Sequence, residues 1–115
     1  MNQSNIFAYV ELGKLVSVLE SESQPVNLAQ KLISQSAYFN IIDPKYFSDV
    51  LRDQWIRIQQ NTSIKGPVVD TDGYVISNAT VNTLNNLTIS EIQALAEQIK
   101  KLYKSLRLEF EGVAH

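Results

Sequence analysis

The sequence predicts an α+β fold, and three observations carry that prediction. Residues 5–20 and 66–78 are rich in β-branched and aromatic side chains around a glycine. Residues 44–60 and 88–108 repeat apolar side chains at helical spacing. A shorter helical stretch, 28–38, precedes them. The expected architecture is two β-hairpins, at about 5–20 and 66–78, with three helices at about 28–38, 44–60 and 88–108, in a single domain covering 1–115. The alternative is a mainly helical bundle with one hairpin, in which residues 6–20 form a helix.

The opening, NIFAYVELGKLVSVLESE, carries that choice. As a helix it sets Ile6, Phe7, Tyr9, Leu12 and Leu15 around the whole axis, with no clean polar face. As a hairpin it gives two β-rich runs, Ile6–Leu12 and Leu15–Leu19, about a Gly13-Lys14 turn. The hairpin is preferred. Residues 7–21, FAYVELGKLVSVLES, resemble the opening hairpin of some small phage-encoded accessory proteins. The resemblance covers about fifteen residues, carries no functional motif and implies no residue role.

Pro25 and Asn27 lead into LAQKLISQSAYF, with Leu28, Leu32 and Ile33 inward. Asp43-Pro44 is a strong start signal: the carboxylate accepts free first-turn amides, and proline gives up no needed donor. Phe47, Val50, Leu51, Gln54 and Ile58 then form a stripe, flanked by Tyr46 and Trp55, with Asp53 and Arg57 as an outer i, i+4 pair. Gly66-Pro67 ends it. Residues between Ile76 and Thr88 are polar and Asn-rich, a loop with a short turn of helix. Thr88 and Glu91 spell a capping box, and Ile92, Leu95, Ala96, Ile99, Leu102, Tyr103, Leu106 and Phe110 follow as one apolar stripe.

Composition excludes more than it assigns. A chain of 115 residues, 44% hydrophobic and 19% charged, has a modest core and no disordered character. Its net charge of −2 advertises no polyanion or acidic membrane as a partner. With no cysteine there are no disulfides, thiolate metal sites or cysteine nucleophiles, which fits a cytoplasmic setting. No basic segment precedes the opening apolar stretch, so no secretory signal is expected. No apolar run reaches the roughly 18 residues of a membrane span. Sequons at Asn61, Asn78 and Asn86 are read as chance in an Asn-rich chain.

Four motifs are weighed for chemistry. VVDTDGYVI, residues 68–76, resembles part of a calcium loop. With Gly73 sixth, however, Val68 falls first and Ala79 last, where oxygen ligands belong. It is read as a turn at Asp72-Gly73. LAQKLISQSAYFN, within 28–40, is a degenerate helix-turn-helix-like segment. Ile33 stands where glycine is expected, and Gln35 and Ser36 come without a phosphate-anchoring cation. The only histidine, His115, is the final residue, so histidine-based catalysis and histidine-bound zinc are not expected. Asp49 and Asp53 lie one turn apart beside Arg52 and Arg57, which keep them ionised.

No catalytic, cofactor-binding or metal residue is therefore assigned. The expected function is that of a non-enzymatic interaction protein: an adaptor, inhibitor or assembly accessory, phage or mobile-element encoded in one reading. It would work by contact with a protein partner or with itself as a homodimer. The alternatives are a nucleic-acid-binding regulator using 28–40 and a small enzyme using carboxylates and tyrosines. The expected interface is the far end of the last stripe, Leu102, Leu106 and Phe110, flanked by Lys100, Lys104 and Arg107. That stripe, from Ile92, spans on the order of 27 Å. It is long enough to outrun the core its own chain provides.

Overall fold

Residues expected to form the first hairpin form a single helix instead. The computed structural model describes residues 3–69 and 71–111, backbone only for 3–5, 68 and 75–77. In it, α1 runs Gln3–Glu20. Ala8, Leu12, Leu15, Val16 and Leu19 are buried, at successive spacings of four, three, one and three. That is a helical stripe. It is hidden in the sequence because Ile6, Phe7 and Val10 are also apolar yet lie on the solvent side, 37–47% exposed. Four β-branched residues and one glycine in α1 cost up to about 0.7 and about 1 kcal/mol each in helix propensity. Burying Leu12, Leu15 and Leu19 returns about 1.5–3 kcal/mol each, so packing outweighs propensity. Gly13 is not a turn residue. A β-carbon there would stand 3.2 Å from the Tyr103 hydroxyl, so the glycine lets another helix approach.

The helix expected at 28–38 is two pieces. Helix α2 runs Pro25–Ser34 with proline in its first turn, and α3 is the single turn Tyr38–Ile41. The Glu22 carboxylate accepts from the Gln24 amide at 2.9 Å ahead of α2. That bond, the largest cause, lowers its pKa. The break at 35–37 redirects the chain so that Phe39 and Ile42 both turn inward, against Trp55. Two carbonyls near the end of α3 find partners far along the chain. Trp55 Nε1 donates to the Ile42 carbonyl at 2.8 Å, and Gln59 Nε2 donates to that of Phe39 at 2.8 Å.

Asp43-Pro44 starts a short 3₁₀ turn, Pro44–Tyr46, in which Asp43 accepts from the Lys45 amide. The helix expected at 44–60 then begins afresh as α4, Asp49–Asn61. Its inner positions are Leu51, Trp55 and Ile58, while Val50 is 73% exposed and Gln54 lies outside. The inner face is therefore rotated from the expected stripe, because Trp55 is the side chain that fills the core. Its ring stacks with Phe39 and tilts against Phe47. Ser48, just before α4, donates to Glu109 Oε2 at 2.8 Å.

Val68–Val69 (β1) and Val75–Ser77 (β2) pair as an antiparallel ribbon with Gly73 at φ +86° between them. Five strand residues cannot form a layer of the core. The fold is all-α, not α+β. Next, α5 (Ala79–Asn85) is capped by the Asn78 side chain. Thr83 Oγ1 accepts from the Lys65 amide, and Asn82 Nδ2 donates to the Gly66 carbonyl, so α5 pins the preceding loop.

Finally, α6 runs Ile89–Glu111. Its capping box is complete: the Glu91 amide donates to Thr88 Oγ1 at 3.1 Å and the Thr88 amide to Glu91 Oε1 at 2.9 Å. Buried Ile92, Leu95, Ala96, Ile99, Leu102 and Leu106 make α6 the axis on which α1, α2 and α4 pack. Among the described residues, no helix is long and apolar enough to cross a membrane.

Candidate functional site

The junction of α4 and α6 leaves a groove whose rims follow from helix periodicity. On α4, the positions beside the buried row are Gln54, Arg57 and Asn61, at i, i+3 and i+7. On α6, they are Glu91, Ala94, Gln98 and Lys101, at i, i+3, i+7 and i+10. The rims enclose two adjoining clefts. One, of about 330 Å³, is lined by Gln54, Arg57, Gln98 and Lys101 over Ile58. The other, of about 250 Å³, is lined by Ile64, Leu87, Ala94 and Leu95, with Asn61 and Glu91 at its edge. Gln98 borders both, so they form one groove.

The groove is electrically polarised. The ion pairs among the described residues are Lys14–Glu11, Arg52–Asp49, Lys100–Glu97 and Arg107–Glu111, all within one helical turn. Neither Arg57 nor Lys101 belongs to one. The expected Asp53–Arg57 pair is not formed, and Arg57 lines the cleft with Lys101 instead. An exposed pair of that kind is worth only about 0.3–0.5 kcal/mol, too little to hold a long side chain in place. At the opposite end, Glu91 accepts from the Thr88 backbone amide and, secondarily, bonds the Thr88 hydroxyl. Both hold its carboxyl below the ordinary glutamate value, so it stays ionised. Two cations mark one end and an anion the other.

The expected interface residues are distributed otherwise. Leu102 and Leu106 are fully buried inside the chain. Phe110 is half-buried, stacked on Tyr9 at 4.5 Å. Lys100 and Arg107 pair with Glu97 and Glu111, and Lys104 is exposed. What that end of α6 offers a partner is Leu108, 37% exposed, with Phe110 and Lys104.

Other candidates are less convergent. A broad depression of about 500 Å³ lies over Gly13, bordered by Tyr9 and Tyr103, but its one charged residue, Lys14, is already bonded to Glu11. Tyr9 and Tyr103 stack at 5.5 Å. Burial first, and then the Tyr9 hydroxyl, raise the Tyr103 pKa, so this phenol keeps its proton. In the helix-turn-helix-like segment, α3 is one turn long and buries Phe39, which leaves it short as a reading helix. Asp49, of the paired carboxylates, bonds Arg52 at 3.0 Å. Asp70 and His115 lie outside the described residues, and Asp72 sits in the exposed turn before Gly73. Among the described residues no three His, Cys, Asp or Glu side chains converge as a metal site.

Sequence reasoning passed over Ala94 and Gln98, placed Gln54 in the inward stripe and named Asn61 only as a sequon. A signal was present: on both helices a polar or small row runs beside the apolar stripe at the same 3–4 spacing. No family model, no curated protein and no solved structure matches the chain.

Proposed function

We propose that this chain is a non-enzymatic interaction protein that receives a segment of a partner polypeptide in the α4–α6 groove, as an adaptor, inhibitor or assembly accessory would. One observation supports the reading above the others. Two cations without ion-pair partners among the described residues and two amides converge at one end of a groove that continues over apolar side chains to Glu91. Apolar clefts with a few convergent polar groups are where ligands settle. In such a site the exposed charges set orientation and encounter rate, and the apolar contact supplies most of the affinity.

Placing a diazirine-bearing residue at Gln98 in the living cell of origin tests this. Irradiation should give a discrete crosslinked polypeptide, lost when Arg57→Glu is added and not formed from position Gln93, which borders neither cleft. The mass of the product separates a second copy of this chain from a different protein. A Gln98 position that yields no product beyond that of Gln93 contradicts the reading.

A further inference from the structure

Resting on that reading, we infer the chemistry of the partner segment: an amphipathic helix carrying an acidic side chain, an apolar one seven residues away and a basic one ten residues away. The α6 rim sets the spacing. Lys101 and Ala94 are seven residues apart, about 10 Å along the helix, and Lys101 and Glu91 are ten apart, about 15 Å. Both rims repeat every three or four residues, and rows of that kind accept the ridges of a third helix. Ala94, the smallest side chain of the groove, lets such a helix come close over its apolar part.

Charge fixes the order. At the Arg57–Lys101 end a carboxylate meets two cations that no other described carboxylate neutralises, with the Gln54 and Gln98 amides beside them as donors. In the middle, an apolar side chain meets Ala94 and Leu95. At the far end a lysine or arginine meets the Glu91 carboxylate. The reverse order sets like charges against each other at both ends, which costs affinity and disfavours wrong partners. A helix repeats every 3.6 residues, so positions seven and ten residues on lie close to one face.

The test uses the whole chain and a labelled, capped, alanine- and glutamine-rich helical peptide of eighteen residues. The matched peptide carries a glutamate, a leucine seven positions on and a lysine ten positions on. The exchanged peptide swaps glutamate and lysine. Fluorescence anisotropy at low salt should show saturable binding of the matched peptide, tighter than the exchanged one by on the order of tenfold. The Arg57→Glu/Lys101→Glu double variant should reverse that preference. Glu91→Gln keeps a capping side chain but should narrow the preference by removing one charge contact. Both cations are surface side chains, so circular dichroism should find the double variant folded. Equal affinity for the two peptides, no saturable binding, or a preference unchanged in the double variant would overturn the inference. If a Gln98 crosslink forms while the two peptides bind alike, the partner chemistry is wrong and the groove stands. If the crosslink also fails, the groove itself falls.

Discussion

On its α1 flank, α6 is held by side chains that satisfy one another. Tyr103 lies against Gly13, Tyr9 stacks between Tyr103 and Phe110, and Lys14 is bonded to Glu11. On its α4 flank the same helix contributes Ala94, Gln98 and Lys101 to an open groove, opposite Gln54 and Arg57. Both flanks bury leucine and isoleucine beneath them. What differs is the row just above the core: rings on one side, and on the other amides and cations that no described carboxylate pairs. Core burial is therefore alike on the two flanks; the saturation of the neighbouring row is what differs.

The largest expected effect tests the closed flank. Leu102→Ala removes a fully buried side chain and should cost about 2–5 kcal/mol in urea unfolding. A loss under about 1 kcal/mol would mean that α1 and α6 are not the packed pair described. Next, Trp55→Phe leaves the Ile42 carbonyl without its indole donor, although Gln59 Nε2 stands 3.3 Å away as a second one. A loss of about 1–3 kcal/mol is expected, with further loss on adding Gln59→Ala.

The same contrast explains what could be read from sequence. The last helix was legible because Thr88, Glu91 and the stripe from Ile92 are local signals that agree, and Gly73 does hold positive φ in its turn. The first helix was not. Ile6, Phe7 and Val10 are apolar without being core, so their presence blurred the row of Ala8, Leu12, Leu15, Val16 and Leu19. The break after Ser34 was also illegible, since the side chains that receive the redirected chain at Phe39 and Ile42, Trp55 and Gln59, lie up to twenty residues further on. Of the groove, Arg57 drew notice only beside Asp49 and Asp53, and Ala94 and Gln98 drew none. Their convergence depends on how α4 docks, which no local pattern encodes.

Gly13 tests the packing of the closed flank from inside. Gly13→Ala should gain helix propensity of about 1 kcal/mol and lose part of it to the tight approach of the Tyr103 hydroxyl. Adding Tyr103→Phe removes that oxygen, so thermal melting should place the double variant above Tyr103→Phe alone. If alanine destabilises equally in both backgrounds, the ring rather than the hydroxyl sets the approach. On the open flank, Arg57→Glu and Lys101→Glu should each change stability by no more than about 0.5 kcal/mol, because neither residue is ion-paired among the described residues. A larger loss would make them structural.

The smallest effect is a pH slope. Glu91 and Glu22 both have folded pKa values lowered from 4.5. Their contribution is therefore present above that value and is lost as pH falls through the lower folded values. Glu91→Gln should make the acid loss of stability shallower while leaving the part due to Glu22. An unchanged slope would mean that the Thr88 contacts do not favour the ionised form.

The most direct measurement follows both flanks in one sample. Side-chain amide resonances of Gln54 and Gln98 report the open flank, and ring resonances of Tyr9 and Tyr103 report the closed one. On titration with the charge-matched helical peptide, the two amides should shift to saturation with a common midpoint while the two rings stay in place. Saturating shifts at Tyr9 and Tyr103 with still amides would contradict the account and assign binding to the flank that α1 covers.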